Sequence, residues 1–422
     1  MGLTHKLHQI TTANSTRVLI DQALYSGTNF LSMILLARLL NPYEFGWFST
    51  ILIAVYLLMN VSNALIIQPM QVRLASCEDQ TSYLQFLLVL TLITLFTIGL
   101  ISLAALGILD AIDLKHVSPL FEQIHPCKLV VFALTWLAHD FFRKLFLANQ
   151  KLDKAIAIDS LLAAFQITGL LWIFFVHMER IDVVLKIMTA SLGLSAAMGY
   201  YLSRITPSFR GAWKTHLQYH LKQGSFLFMS SMLQWWSSQL FVITSGVILG
   251  IASLGAFRLV QSAFGALGLF LQAIENYVLP KAALLLNTSW NQSKTYVREI
   301  GLKGGLPFTL LLLLLFIFSK PTILALGGEE YLSFHYVVRW MAILYLIIFA
   351  SYTIRIPLRI LGLNKSYFKG YAITFIFSLL SYRLLLENFG ITGAIWGLII
   401  NQLLLAAYWK FILNKNNFKL WT

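Results

Sequence analysis

The chain is predicted to be an all-α polytopic membrane protein: about twelve transmembrane helices in two six-helix lobes, both termini cytoplasmic. Three observations predict this. First, Phe45 to Val72, Gln80 to Leu109, Gln223 to Phe257 and Asn388 to Trp409 hold no Asp, Glu, Lys or Arg. A hydrocarbon core about 30 Å thick is crossed by roughly 20 apolar helical residues. Second, only 11% of the 422 residues are charged and 58% are hydrophobic, against about 25% charged in soluble proteins. Third, the basic residues behind the formal net charge of +14 lie between apolar runs and not in one tract. That distribution points to the membrane surface and to orientation, and away from nucleic acid.

The elements follow in order. Residues Met1 to Thr16 are polar and contain Lys6. The first apolar stretch then continues as a full span, Val18–Leu40, so no cleavable signal peptide is expected. Helix two covers Phe45–Gln68 and ends beside Pro69; helix three covers Ser82–Leu109. Helix four, Lys128–Leu147, carries His139, Asp140, Arg143 and Lys144 in its second half. That half is expected at the interface, or facing protein and water. Helices five to eight are Ala155–His177, Val183–Ser203, Ser225–Leu249 and Leu254–Leu279, the last ending beside Pro280. The remaining four are Gly304–Ser319, Tyr336–Leu358, Tyr367–Leu385 and Ile391–Leu413.

Charge supports the even number. The N-terminus, the even connections and the C-terminus collect most Lys and Arg, among them Lys151, Lys154, Arg204, Arg210, Lys294, Arg298, Lys365 and Lys419. The odd connections hold acidic pairs such as Asp110/Asp113 and Glu329/Glu330. Basic loops stay in the cytoplasm. Cys77 and Cys127 fall on opposite faces, which argues against a disulfide, and no CxxC or Cys/His spacing suits a metal. The halves also echo each other. Gly46 and Phe48, after helix one, align with Gly255 and Phe257, after helix seven; Arg143 and Asn149 resemble Arg359 and Asn364. Parallel six-helix repeats, residues 1–210 and 211–422, are expected to flank a cavity.

Chemistry must lie in the polar residues these helices retain. Helix one carries Asp21, Tyr25 and Asn29; helix two Tyr56, Asn60 and Asn63; helix seven Ser230, Gln234, Ser237 and Thr244; helix eight Arg258, Gln261, Gly265, Gln272 and Glu275. Steps of three and four put each set on one face. Packing between helices explains Ser and Gly, but a charge at mid-depth normally faces protein or a water-filled path. Arg258 is the sharpest residue, with Arg38 at the outer end of helix one, because a guanidinium fork suits phosphate oxygens. An interfacial anchor is the plain alternative for both. Asp21 and Glu275 are ion-coupling candidates. Asp140, four residues before Lys144, suits a helix-surface pair, and Asp159 is expected to be solvated near Lys154. His139 and His177 are expected at the interface. No GxxxxGK[ST] or HExxH occurs, nor GxSxG in a usable context, so neither an enzyme nor a cofactor is indicated.

The stretch Asp21-Gln22-Ala23-Leu24-Tyr25-Ser26-Gly27-Thr28-Asn29-Phe30, then Leu35-Leu36-Ala37-Arg38-Leu39-Leu40, Phe45-Gly46 and Gln68-Pro69, resembles the opening of the polysaccharide transporter family. These are Wzx-type O-antigen and exopolysaccharide flippases of the MOP (MATE-like) exporter superfamily. The resemblance is strongest over about the first 75 residues. It implies a bacterial inner-membrane protein with a V-shaped central cavity and alternating access. The implied cargo is an undecaprenyl-diphosphate-linked oligosaccharide moved from the cytoplasmic to the periplasmic leaflet. Proton or sodium coupling, and a polysaccharide polymerase and chain-length regulator as partners, go with that reading. The family supplies no fixed substrate motif, so the site residues rest on the stripes alone. A MATE-like multidrug exporter, a lipid II flippase and a membrane glycan polymerase stay open as alternatives. An exporter of organic cations would want an acidic lumen. A lipid II flippase usually has two further C-terminal helices, and a polymerase a large outer loop; the longest here is Asp110 to Cys127.

Overall fold

The computed structural model describes residues 2–74, 77–111, 124–178, 180–208 and 212–418, and every regular element among them is helical. The elements are α1 (Gly2–Leu39), α2 (Pro42–Arg73), α3 (Gln80–Ala111), α4 (Pro126–Ala148), α5 (Leu152–Val176) and α6 (Ile181–Ser203). Then come α7 (Trp213–Leu249), α8 (Ile251–Thr288), α9 (Trp290–Ile317) and α10 (His335–Ile360). The helical stretch Asn364–Lys415 divides at Gly390 into α11 (364–389) and α12 (391–415). A short helix, Ser319–Gly327, precedes α10. Arg210, Asp113, Lys419 and the expected lobe boundary at 210/211 lie outside the described residues.

Among the described residues, eight helical stretches are long and apolar enough to cross a membrane unaided, and Asn364–Lys415, at 52 residues, has the length of two crossings. Exposed Phe96, Phe175, Leu306 and Leu380 give these helices an apolar outer surface. Several helices outrun the apolar signal: α1 starts at Gly2, α7 at Trp213 and α9 at Trp290, and α8 continues to Thr288. Hydropathy marks only the part of a helix that hydrocarbon requires, whereas the helix itself can continue beyond it.

The chain forms two compact units. One holds Met1–Leu40 and Ile51–Ser231, the other Asn41–Thr50 and Met232–Thr422. In the first, α4 packs on α5 and α6, and α1 packs on α5. Its core includes Tyr83, Phe86, Phe141 and Phe146. In the second, α10 packs on α8, α9 and the α11/α12 stretch, around Val278, Ile356, Leu358 and Trp409.

Two local features have clear causes. Within α2, Asn63–Ile67 form a π turn, and Gln68 N–H bonds to Asn63 O. Pro69 follows; it has no N–H, and in an α-helix its ring would strike the carbonyl of Leu65. The wider turn relieves that clash. Leu65 O accepts instead from His220 Nδ1 on α7, at 3.0 Å. With Nδ1 donating, Nε2 accepts from Tyr83 O–H at 2.8 Å. The second feature is the glycine pair aligned by the internal repeat. A Cβ on Gly46 would overlap the Ile251 carbonyl, and one on Gly255 would sit 2.9 Å from Pro42 O and 3.1 Å from Gly46 Cα. These two helix starts cross backbone to backbone, which only glycine permits.

Candidate functional site

Each unit buries its own charged network. In the first unit, Arg143 on α4 donates through Nη2 to Asp21 Oδ2 on α1 at 2.5 Å, and through Nε to Asp159 Oδ2 on α5 at 2.7 Å. Its guanidinium lies 4.1 Å from the ring centroid of Tyr25, a cation–π contact. Asp21 and Asp159 are each only 1% exposed. The second oxygen of each, Oδ1, has no hydrogen-bond partner. Next to them, His139 Nδ1 contacts Ser195 Oγ at 2.9 Å, and Ser195 Oγ spends its hydrogen on Ile158 O at 2.7 Å. Nδ1 is therefore the donor, and Nε2, 3.4 Å from Asp159 Oδ1, is left facing a carboxylate. One guanidinium stands against two carboxyl groups, an excess of one negative charge when both are ionised, with acceptors unmatched on three side chains. Lys144 completes the cluster, bonding Asp140 at 2.7 Å and Asn63 Oδ1 at 2.6 Å.

The second unit has the opposite balance. Glu275 on α8 is 2% exposed and is held by Arg355 and Arg359 of α10. Arg359 Nη1 lies 2.8 Å from Oε1, and Arg355 spans both carboxylate oxygens. Two guanidinium groups meet one carboxylate, an excess of one positive charge. Arg359 keeps half its side chain exposed. Beside Arg355 a cavity of about 180 Å³ opens between α7, α10, α11 and α12.

The residues singled out in sequence distribute unevenly. Asp21 and Tyr25 join Arg143; Asn63 meets Lys144; Asn60 Nδ2 donates to Ser231 O at 3.1 Å. Arg258 is half-buried and bonds Gln261 Oε1 at 3.1 Å. Gln234 lines the cavity and Glu275 anchors the arginine pair. Asn29 is half-buried, and Arg38 and Gln272 are exposed; none of these three belongs to the clusters above.

The charged half of α4 faces protein, with Asp140, Arg143 and His139 all buried. His139 is not interfacial: it is fully enclosed and bonds to Ser195 on α6. Asp159 is not solvated near Lys154, because Arg143 draws it inward. Asp140 and Lys144 form the expected i,i+4 pair.

The sequence stripes missed Thr374, Ser378 and Asn401, which join Ser237 in one buried chain of hydrogen bonds. A lone Asn401–Gln402 pair in an otherwise apolar run was the available signal. Among the described residues no group of three or more His, Cys, Asp or Glu is placed to hold a metal ion.

The fold is that of the MOP-superfamily transporters. An inward-facing multidrug resistance MATE family transporter of that superfamily is similar over 96% of this chain and 98% of its own, at 12% identity and a TM-score of 0.72. The lipid II flippase MurJ, in an inward closed conformation, is similar over 96% and 87%, at 14% identity and a TM-score of 0.64. The Vibrio cholerae MATE transporter VcmN, in its bent form, is similar over 97% and 99%, at 16% identity and a TM-score of 0.59. No family model matches the chain, and no curated protein is similar to it in sequence. With its long apolar helices, this fold makes the chain a multi-pass membrane protein.

Proposed function

We propose that the chain is a flippase for undecaprenyl-diphosphate-linked oligosaccharides, working by alternating access in a bacterial inner membrane with both termini cytoplasmic. The observation that carries this reading is the opposite excess charge of the two buried networks. In the second unit, two arginines outnumber Glu275, and Arg359 remains accessible. That interior suits an anionic, hydroxyl-rich cargo and opposes a lipophilic cation. Arg258 and Arg38 are further candidates for the diphosphate, since guanidinium forks bind phosphate oxygens in pairs.

The first unit, one negative charge in excess, is where we place ion coupling. Asp21 and Asp159 share one guanidinium, and His139 Nε2 and Asp159 Oδ1 face each other at 3.4 Å, neither with a hydrogen-bond partner. A transported proton or a small cation would satisfy these acceptors. Glu275, already held by two guanidinium groups, is the weaker of the two acids first considered.

A MATE-like exporter of organic cations is the second reading, supported by the likeness to a multidrug transporter. A lipid II flippase is the third, supported by the likeness to MurJ. The test is deletion of the gene and complementation. The flippase reading expects loss of surface glycan, restored by the wild-type chain and not by Arg258→Ala at equal membrane abundance. Unchanged glycan together with raised sensitivity to cationic drugs would favour the exporter. Restoration by Arg258→Ala would remove that residue from the site.

A further inference from the structure

The cavity beside Arg355 is walled by Gln234 and Ser238 of α7, Tyr352 of α10, and Asn401, Gln402 and Trp409 of α12. The directions of the hydrogen bonds that link Ser237, Thr374, Ser378 and Asn401 can be fixed. Thr374 Oγ1 donates to the Tyr371 carbonyl at 3.0 Å, so the 2.7 Å contact with Ser237 Oγ is donated by Ser237. Ser378 Oγ donates to the Thr374 carbonyl at 2.9 Å, so it accepts from Asn401 Nδ2 at 2.8 Å. The other Nδ2 hydrogen goes to the Ser237 carbonyl at 3.0 Å. Both donors of Asn401 are thereby used, and the amide cannot be reversed. Its Oδ1 is buried and unmatched, in a side chain only 3% exposed. Ser237 Oγ, having donated its hydrogen, also keeps free acceptor capacity.

A buried acceptor without a donor is costly, and the same lining holds a buried donor without an acceptor, Trp409 Nε1, so this wall suits a ligand that both brings and accepts hydrogens. Metal cations and ammonium groups would meet the guanidinium of Arg355 in the same lining and the net positive charge of the Arg355–Arg359–Glu275 group. Hydroxyl hydrogens carry no such penalty. Drug-sized ligands generally need about 300–1,000 Å³, so about 180 Å³ admits one ring and not several. Amide side chains at Gln234 and Gln402, with the half-buried ring of Tyr352, are groups that meet the hydroxyls and an apolar face of a sugar. We infer that this cavity, within the second unit, is a subsite for one pyranose ring of the cargo. The inference rests on the flippase reading and adds to it the place where a sugar is recognised.

The test uses the full chain in nanodiscs, titrated with methyl glycosides of neutral hexoses and N-acetylhexosamines, and separately with sodium chloride against choline chloride. Binding is followed by tryptophan fluorescence and saturation-transfer NMR. At least one pyranoside is expected to bind in the millimolar range, with affinity reduced about tenfold by Asn401→Leu, the loss expected for one hydrogen bond. Gln402→Leu, at a half-buried position, gives the same test without touching the internal hydrogen-bond chain. No pyranoside binding, equal binding by wild type and both variants, or saturable sodium binding lost in Asn401→Leu would each overturn the inference. Export in cells separates the two levels. If deleting the gene leaves surface glycan unchanged, both the flippase reading and the subsite fall. If deletion abolishes export but both variants export normally and no sugar binds, the subsite alone falls.

Discussion

Replacing Arg143 with Met probes the first unit most directly. The guanidinium is the only cation bonded to Asp21 and Asp159 in the described contacts, with side-chain exposures of 6%, 2% and 0% for the three residues. Methionine keeps most of the volume and removes the charge. Removing one partner of a buried ion pair costs about 3–5 kcal/mol, because the other is left uncompensated. At about 2–4 °C per kcal/mol for a unit of this size, the melting temperature should fall by roughly 6–20 °C. Purified variants in detergent, followed by intrinsic tryptophan fluorescence, supply the measurement. The decisive companion combines Asp21→Leu, Arg143→Met and Asp159→Leu. Buried ionic groups replaced by apolar ones of similar size are often neutral or stabilising, so this triple variant should recover most of the loss. If Arg143→Met melts with the wild type, or the triple variant melts no higher than the single one, the network does not hold the unit together.

Three further outcomes are expected. His220→Leu strips Leu65 O and Tyr83 O–H of their partner, at about 1–3 kcal/mol for each buried group; a melting temperature equal to wild type would show that water replaces the imidazole. Gly390 sits at φ 58° and ψ −141°, a conformation that side chains resist, so Gly390→Ala should cost about 1–3 kcal/mol, read by chemical denaturation. Gly46→Leu forces a side chain into the Ile251 backbone; overpacking of this kind typically costs about 1–3 kcal/mol, and Gly255→Leu should match it. Normal thermal stability in either leucine variant would refute the close crossing.

Much of the architecture was legible in the residues. Charge-free runs place α2, α3 and α12. The resemblance at Asp21–Asn29 points to the superfamily whose fold the chain has. What the pattern could not supply is pairing. Helical steps put Asp21 and Tyr25 on one face, but the neighbour that this face meets is Arg143, distant in sequence by 122 residues. The charged half of α4 could be read as interfacial or as facing protein, and the Asp140–Lys144 pair followed from spacing, but hydropathy does not see Ser195 or Asn63 around them. Likewise, Glu275 sits on the same stripe as Arg258, yet its partners come from α10. Such contacts arise from tertiary packing, and local spacing carries no trace of them.

The guanidinium of Arg143 also constrains how the polypeptide is built. An Arg, Lys or Asp at the centre of a helix entering lipid alone costs about 2.5–3.5 kcal/mol, and α4 carries one of each within a single turn and a half. When α4 leaves the ribosome, Asp21 has already been made, whereas Asp159 is still to come. Lateral release of α4 into the bilayer should therefore wait for α5. A nascent chain truncated after Ala148 ought to stay beside the insertion machinery, and one extended through α5 ought to leave it.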